Sequence, residues 1–158
     1  AGRTEGRVKI TRPIRIGGQE VSGLSLEFRS GAIVSFEASS GGSAFEATIS
    51  SDPGASRLGE VALVGTDSPI FQSGLVFSNI LFDENAACHI AIGKAYEKCL
   101  DGGTLMSREE LDALGCNYSP AVHTDMMISD ESVQVRATLF DGKTEELLRN
   151  GAWSINAD

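Results

Sequence analysis

No stretch of the 158 residues approaches the roughly 18 consecutive apolar positions of a membrane-spanning helix, and the amino-terminus lacks the basic-then-apolar pattern of a secretory signal. Basic residues are few, 13 Lys and Arg against 22 Asp and Glu for a net charge of −9, and they nowhere form a stripe beyond a diffuse scatter between Arg3 and Arg15. Neither nucleic acid nor a membrane is therefore expected as a partner. The three cysteines, Cys88, Cys99 and Cys116, form no CxxC pair and are odd in number, which predicts reduced thiols, small buried side chains and a cytoplasmic location. Internal repeats and low-complexity stretches are missing, and the chain opens at Ala1 without Met, as expected of a piece of something longer.

What is present is globular: 41% hydrophobic and 22% charged residues, enough for a core without disulfides. The first third predicts a β meander: strands at Val8–Ile10, Ile14–Ile16 and Leu24–Phe28, a hairpin at Gly17-Gly18, a turn at Ser30-Gly31 and a strand over Ala32–Ala38. Ser43–Ser51 has weak helical spacing, Asp52-Pro53-Gly54 breaks the chain, and Val61–Val64 suits a buried strand with Glu60 at its start. Asp83–Tyr96 predicts a helix capped by Asp83, and Ser107-Arg108-Glu109-Glu110 predicts a capping box opening a short helix that ends near Gly115. Strands are expected at Val122–Ile128 and Val133–Phe140, a turn at Asp141-Gly142, and a closing hairpin through Asn150-Gly151 to Trp153. The expected fold is α+β, a mixed, mostly antiparallel sheet with a few helices, in a single domain over 1–158.

Histidine is scarcer still: only His89 and His123 occur, each near carboxylates. His123 and Asp125 are two apart, so on a strand both point to one face and an imidazole nitrogen and a carboxylate oxygen can converge on one ion. An ordinary half-buried histidine beside a solvated aspartate has the same spacing. Glu84 and His89 stand about 140° apart on an ideal helix, a conflict that eases if Glu84 lies in the first turn. Tyr96 follows His89 by seven residues, which on a helix lines phenol and imidazole on one stripe, although a core aromatic with a wet hydroxyl reads the same.

Four ordered blocks, Leu58-Gly59-Glu60-Val61-Ala62-Leu63-Val64, Phe82-Asp83-Glu84-Asn85-Ala86-Ala87-Cys88-His89-Ile90-Ala91, Val122-His123-Thr124-Asp125-Met126-Met127 and Arg149-Asn150-Gly151-Ala152-Trp153, resemble the thermophilic metalloaminopeptidase family of aminopeptidases T and S. Thr4-Glu5-Gly6 and Thr11-Arg12-Pro13 extend the likeness over nearly the whole chain. The resemblance implies the C-terminal catalytic part of a two-domain, dimeric exopeptidase. Its water would be activated by two divalent ions (Zn, Co, Mn or Mg), and its substrates would be peptides with a free N-terminus. It carries metal binding to Glu60, Glu84, His89, His123 and Asp125, and a catalytic role to Tyr96 and to Glu60 as proton shuttle.

The family pattern also has an N-terminal domain and a further glutamate ligand that falls before Ala1, so this chain is expected to be weakly active or inactive alone, with one ion or none. Thr124 and Met126 replace more usual apolar and aromatic neighbours, and Cys88 faces about 100° away from its neighbour on a helix, so neither departure alters the expected ligands. Two other readings remain. A mononuclear iron oxygenase would share the His123-x-Asp125 pair but needs a later histidine, and none follows position 123. A non-catalytic binding or dimerisation module would keep the blocks as packing.

Overall fold

The computed structural model of the chain describes residues 2–77 and 79–155. The contacts divide into two compact units, the first made of the chain up to Val61 and again Ile90–Met126, the second of Ala62–His89 and the chain from Met127 onward. Of the domain expected over 1–158, Ala1, Ser78 and residues 156–158 lie outside the described residues.

In chain order the elements begin with strands β1 (Gly6–Lys9), β2 (Ile14–Ile16), β3 (Gln19–Val21), β4 (Ser25–Arg29) and β5 (Ala32–Glu37), then helix α1 (Gly42–Ile49) and strand β6 (Leu58–Ala62). Helices α2 (Pro69–Ser73) and α3 (Ile80–Asp83), strand β7 (His89–Gly93), helix α4 (Arg108–Ala113) and strands β8 (His123–Met127), β9 (Val135–Thr138), β10 (Thr144–Arg149) and β11 (Ala152–Trp153) follow. This is the expected α+β fold.

In the first unit, three strands pair antiparallel in the order β1-β4-β5, and β2 and β3 form a separate hairpin. Both hairpins turn on two residues with positive φ, Gly17-Gly18 (55° and 83°) and Ser30-Gly31 (48° and 77°), the turn whose twist suits flanking strands. Leu24, Leu26, Phe28 and Phe45 are buried, and Phe45 meets the Phe36 ring edge-on at 5.1 Å. Burying one such side chain stabilises the fold by roughly 1.5–3 kcal/mol. Ser107 caps α4 with the expected reciprocal bonds, its hydroxyl accepting from the Glu110 N–H while the Glu110 carboxylate accepts from the Ser107 N–H. Strands β6, β7 and β8 form a sheet in that order, each with all but one terminal residue in this unit.

In the second unit, β9, β10 and β11 form an antiparallel sheet in the order β11-β10-β9 around the fully buried Leu148, and Asn150-Gly151 makes a third positive-φ turn. The Asp83 carboxylate is buried and accepts from the Phe77 and Asn79 N–H groups, and it is Asn79, not Asp83, that caps α3.

Three expectations are corrected. The helix over Asp83–Tyr96 does not form: after α3 and a 3-10 turn at Glu84–Ala86, Ala87 turns extended and the chain runs on as β7. All five residues of β7 are buried, and a strand covered on both faces loses the alternation that distinguishes it from a helix. The strand near Glu60 is shifted to Leu58–Ala62 and is not buried throughout, Val61 being 63% exposed. Cys88 and Cys116 are buried as expected, but Cys99 is exposed.

Candidate metal centre

Strand β8 places His123 and Asp125 on one face, as their spacing predicts, while Met126 on the other face is wholly buried. Glu60, the middle residue of β6, joins them within the first unit: one ligand atom from each of the three lies within 4.8 Å of the others. His123 Nε2 is 3.3 Å from Asp125 Oδ1 and 3.5 Å from Glu60 Oε2. The side chains are 8% (Asp125), 22% (His123) and 31% (Glu60) exposed, so the group is partly sunk yet reachable from solvent.

The other ring nitrogen decides the chemistry. His123 Nδ1 is 2.8 Å from the Lys94 carbonyl oxygen, and since a carbonyl only accepts, Nδ1 carries a proton. Nε2 then faces two carboxylate oxygens, a position in which either a proton or a metal ion offsets their negative charge. The spacing fits a metal ion: two ligands about 2.1 Å from it at tetrahedral angles stand about 3.4 Å apart. A carbonyl partner on the far nitrogen is also the usual way a metal-bound imidazole is oriented.

Glu84 and His89 meet in the second unit, with one ligand atom each within 4.8 Å of the other. The angular conflict read from a helix disappears because Glu84 opens the 3-10 turn and His89 opens β7. His89 Nδ1 lies 3.3 Å from the Ala87 carbonyl oxygen.

Tyr96 does not share a helical stripe with His89, since neither residue is helical. It lies in the first unit, its ring centroid 4.9 Å from that of His123 and the residue 47% exposed. Sequence reasoning missed Lys94, which acts through its backbone carbonyl and so leaves no side-chain signal, and Asn117, which holds the segment around it.

The family model of thermophilic metalloproteases (M29) matches residues 1–153. The chain is 44% identical over 150 residues to aminopeptidase 2 of Geobacillus stearothermophilus, covering 95% of this chain and 36% of that protein. It is 46% identical over 153 residues to aminopeptidase T of Thermus aquaticus, covering 97% and 37%. A solved structure titled wild-type AmpT from Thermus thermophilus superposes with a TM-score of 0.88 at 43% identity, covering 98% of this chain and 37% of that one. The chain thus spans just over a third of the length of the curated relatives it matches. These curated relatives are named aminopeptidases, in agreement with the resemblance read from the four sequence blocks. On the extent of the profile match, the chain belongs to the thermophilic metalloprotease (M29) family.

Proposed function

We propose that this protein is a metal-dependent aminopeptidase in which Glu60, His123 and Asp125 hold one divalent ion and Glu84 and His89 serve a second. The observation that carries this reading is the convergence of His123 Nε2 with two carboxylates while its other nitrogen is tied to the Lys94 carbonyl. Two ions are proposed on ligand count: three ligands fill a catalytic site that keeps an open position, which leaves Glu84 and His89 over. The imidazole and carboxylate donors suit Zn, Co, Mn or Mg.

A divalent ion bound there supplies a polarised peptide carbonyl and a water of lowered pKa. Asp125, the most buried of the three, contributes fixed negative charge, and the more exposed Glu60 takes a proton from the attacking water and delivers it to the leaving amine. The Tyr96 hydroxyl, a neutral donor, stabilises the oxyanion as charge appears on it. Carboxylates around the site attract the α-ammonium group of a peptide, which favours cleavage at a free N-terminus.

The same reading includes a cytoplasmic location, on the odd number of cysteines and the lack of a CxxC pair, and a homodimer, checked by sedimentation equilibrium. Among the described residues, no helix is long and apolar enough to cross a membrane. Calorimetric titration of the dialysed protein with Zn, Co or Mn, beside His123→Ala, tests the ligand assignment. Binding that the substitution abolishes is expected, and equal binding by both proteins overturns it. The resemblance also predicts little or no turnover from residues 1–158 alone, because one glutamate of the family pattern has no counterpart in them. Steady, chelator-sensitive hydrolysis of an aminoacyl-nitroanilide by this polypeptide refutes that part.

A further inference from the structure

The Lys94 carbonyl orients His123, and its own position has an identifiable cause. Asn117 brackets it: the Asn117 side-chain amide donates to the Gly93 carbonyl at 2.6 Å, and the Asn117 backbone carbonyl, which a substitution keeps, accepts from the Ala95 N–H at 2.9 Å. The second hydrogen of the same amide goes to the Gly54 carbonyl at 2.8 Å, tying the segment to the Asp52-Pro53-Gly54 turn. The Lys94 N–H donates to the Val122 carbonyl at 2.7 Å, so the residue that accepts from the His123 ring is also bonded to its predecessor on the chain.

From the opposite side, Gly59 leaves the space this carbonyl occupies. A Cβ at Gly59 would stand 2.8 Å from the Lys94 oxygen and 2.5 Å from the Gly93 oxygen, closer than real Cβ atoms approach. Gly59 directly precedes Glu60, so one backbone contact sets the spacing between a ligand-bearing strand and the carbonyl that orients another ligand.

We propose that Asn117 is a positioning residue of the metal centre: by clamping residues 93–95 it places the Lys94 carbonyl that holds His123 with Nδ1 protonated and Nε2 free to bind metal. The proposal rests on the reading of His123 as a ligand. Without the amide, two carbonyls lose their donor, the segment relaxes, and the competing Nε2–H form of the ring gains population.

The test compares wild type with Asn117→Ala and with the milder Asn117→Ser, whose hydroxyl is too short to reach both carbonyls. Gly59→Ala displaces the same carbonyl with every hydrogen-bond donor retained, and Ser107→Ala is a control that removes a helix cap elsewhere in the unit. Nitrogen-15 NMR of metal-free protein, at a pH high enough that the ring nitrogens report a neutral imidazole, reads the His123 tautomer, and titration with Zn reads affinity. The expected result is a mixed tautomer and at least about tenfold weaker Zn binding in the Asn117 and Gly59 variants, with Ser107→Ala like wild type. An unchanged tautomer in a folded Asn117 variant overturns the proposal, as does an equal change in Ser107→Ala. If wild type binds no metal while the Asn117 variants still shift the tautomer, the metal reading fails and the positioning role stands.

Discussion

Replacing Asp125 by Asn should affect stability with opposite signs in the metal-free and metal-bound protein. Without metal and with the His123 ring neutral, Asp125 Oδ1 stands 3.3 Å from Nε2 and within 4.8 Å of a Glu60 oxygen, so the amide removes a repulsion and offers an N–H to the ring nitrogen. Two carboxylates at the outer limit of 4.8 Å repel by about 3 kcal/mol at an effective dielectric constant of about 20 and by about 1 kcal/mol in water. The partial exposure of Glu60 places the gain toward the lower figure. With metal the order reverses. An ion at about a hundred times its dissociation constant adds about 2.7 kcal/mol to wild type, whereas a variant binding about a hundredfold more weakly gains about 0.4 kcal/mol. In a chain of this size that contrast is a melting shift of about 5–10 °C in wild type against about 1–2 °C in the variant. Calorimetry at about pH 8, where protons compete little with metal, with and without Zn, reads both effects. A metal-free variant less stable than wild type would show that His123 and Asp125 form a structural ion pair. A full metal-induced shift in the variant would show that Asp125 is no ligand.

Tyr96→Phe keeps the ring against His123 and removes only the hydroxyl, so in a form of the protein that also carries the glutamate missing from residues 1–158 and turns over peptides, kcat should fall by about two orders of magnitude with KM nearly unchanged; an equal kcat refutes the oxyanion role. Ser107→Ala removes a two-sided cap and should cost about 1 kcal/mol in urea unfolding, with metal affinity unaltered. The Ser132 hydroxyl, with the Ser132 backbone N–H, holds the exposed Asp130 carboxyl below the usual carboxylate range. A lowered folded-state value stabilises above the unfolded value and is lost as pH falls through the folded one, so Ser132→Ala should lower the unfolding midpoint at about pH 7 but not at about pH 2.

Local chemistry was legible wherever one or two residues determine the backbone. Gly17-Gly18, Ser30-Gly31 and Asn150-Gly151 each form the turn their residues favour, and Ser107 with Glu110 forms its box, because these elements depend on neighbours in sequence. His123 and Asp125 share a face for the same reason, a strand's period of two. The family, too, was readable from four ordered blocks, and the profile match over residues 1–153 bears it out.

Three features depended on contacts far apart in the chain. The segment Asp83–Tyr96 has good helix formers, yet its middle, His89–Gly93, forms a strand, since burial on both faces outweighs a propensity of a few tenths of a kcal/mol per residue. The division into two compact units left no mark in composition, because each crossing falls at the end of a strand. The orientation of His123 comes from a backbone carbonyl 29 residues away, in a segment whose neighbouring residues bond to an asparagine with no motif around it. Every residue carries the same carbonyl, so the sequence determined which side chains are candidate ligands, and only the tertiary structure decided which His123 nitrogen faces the two carboxylates.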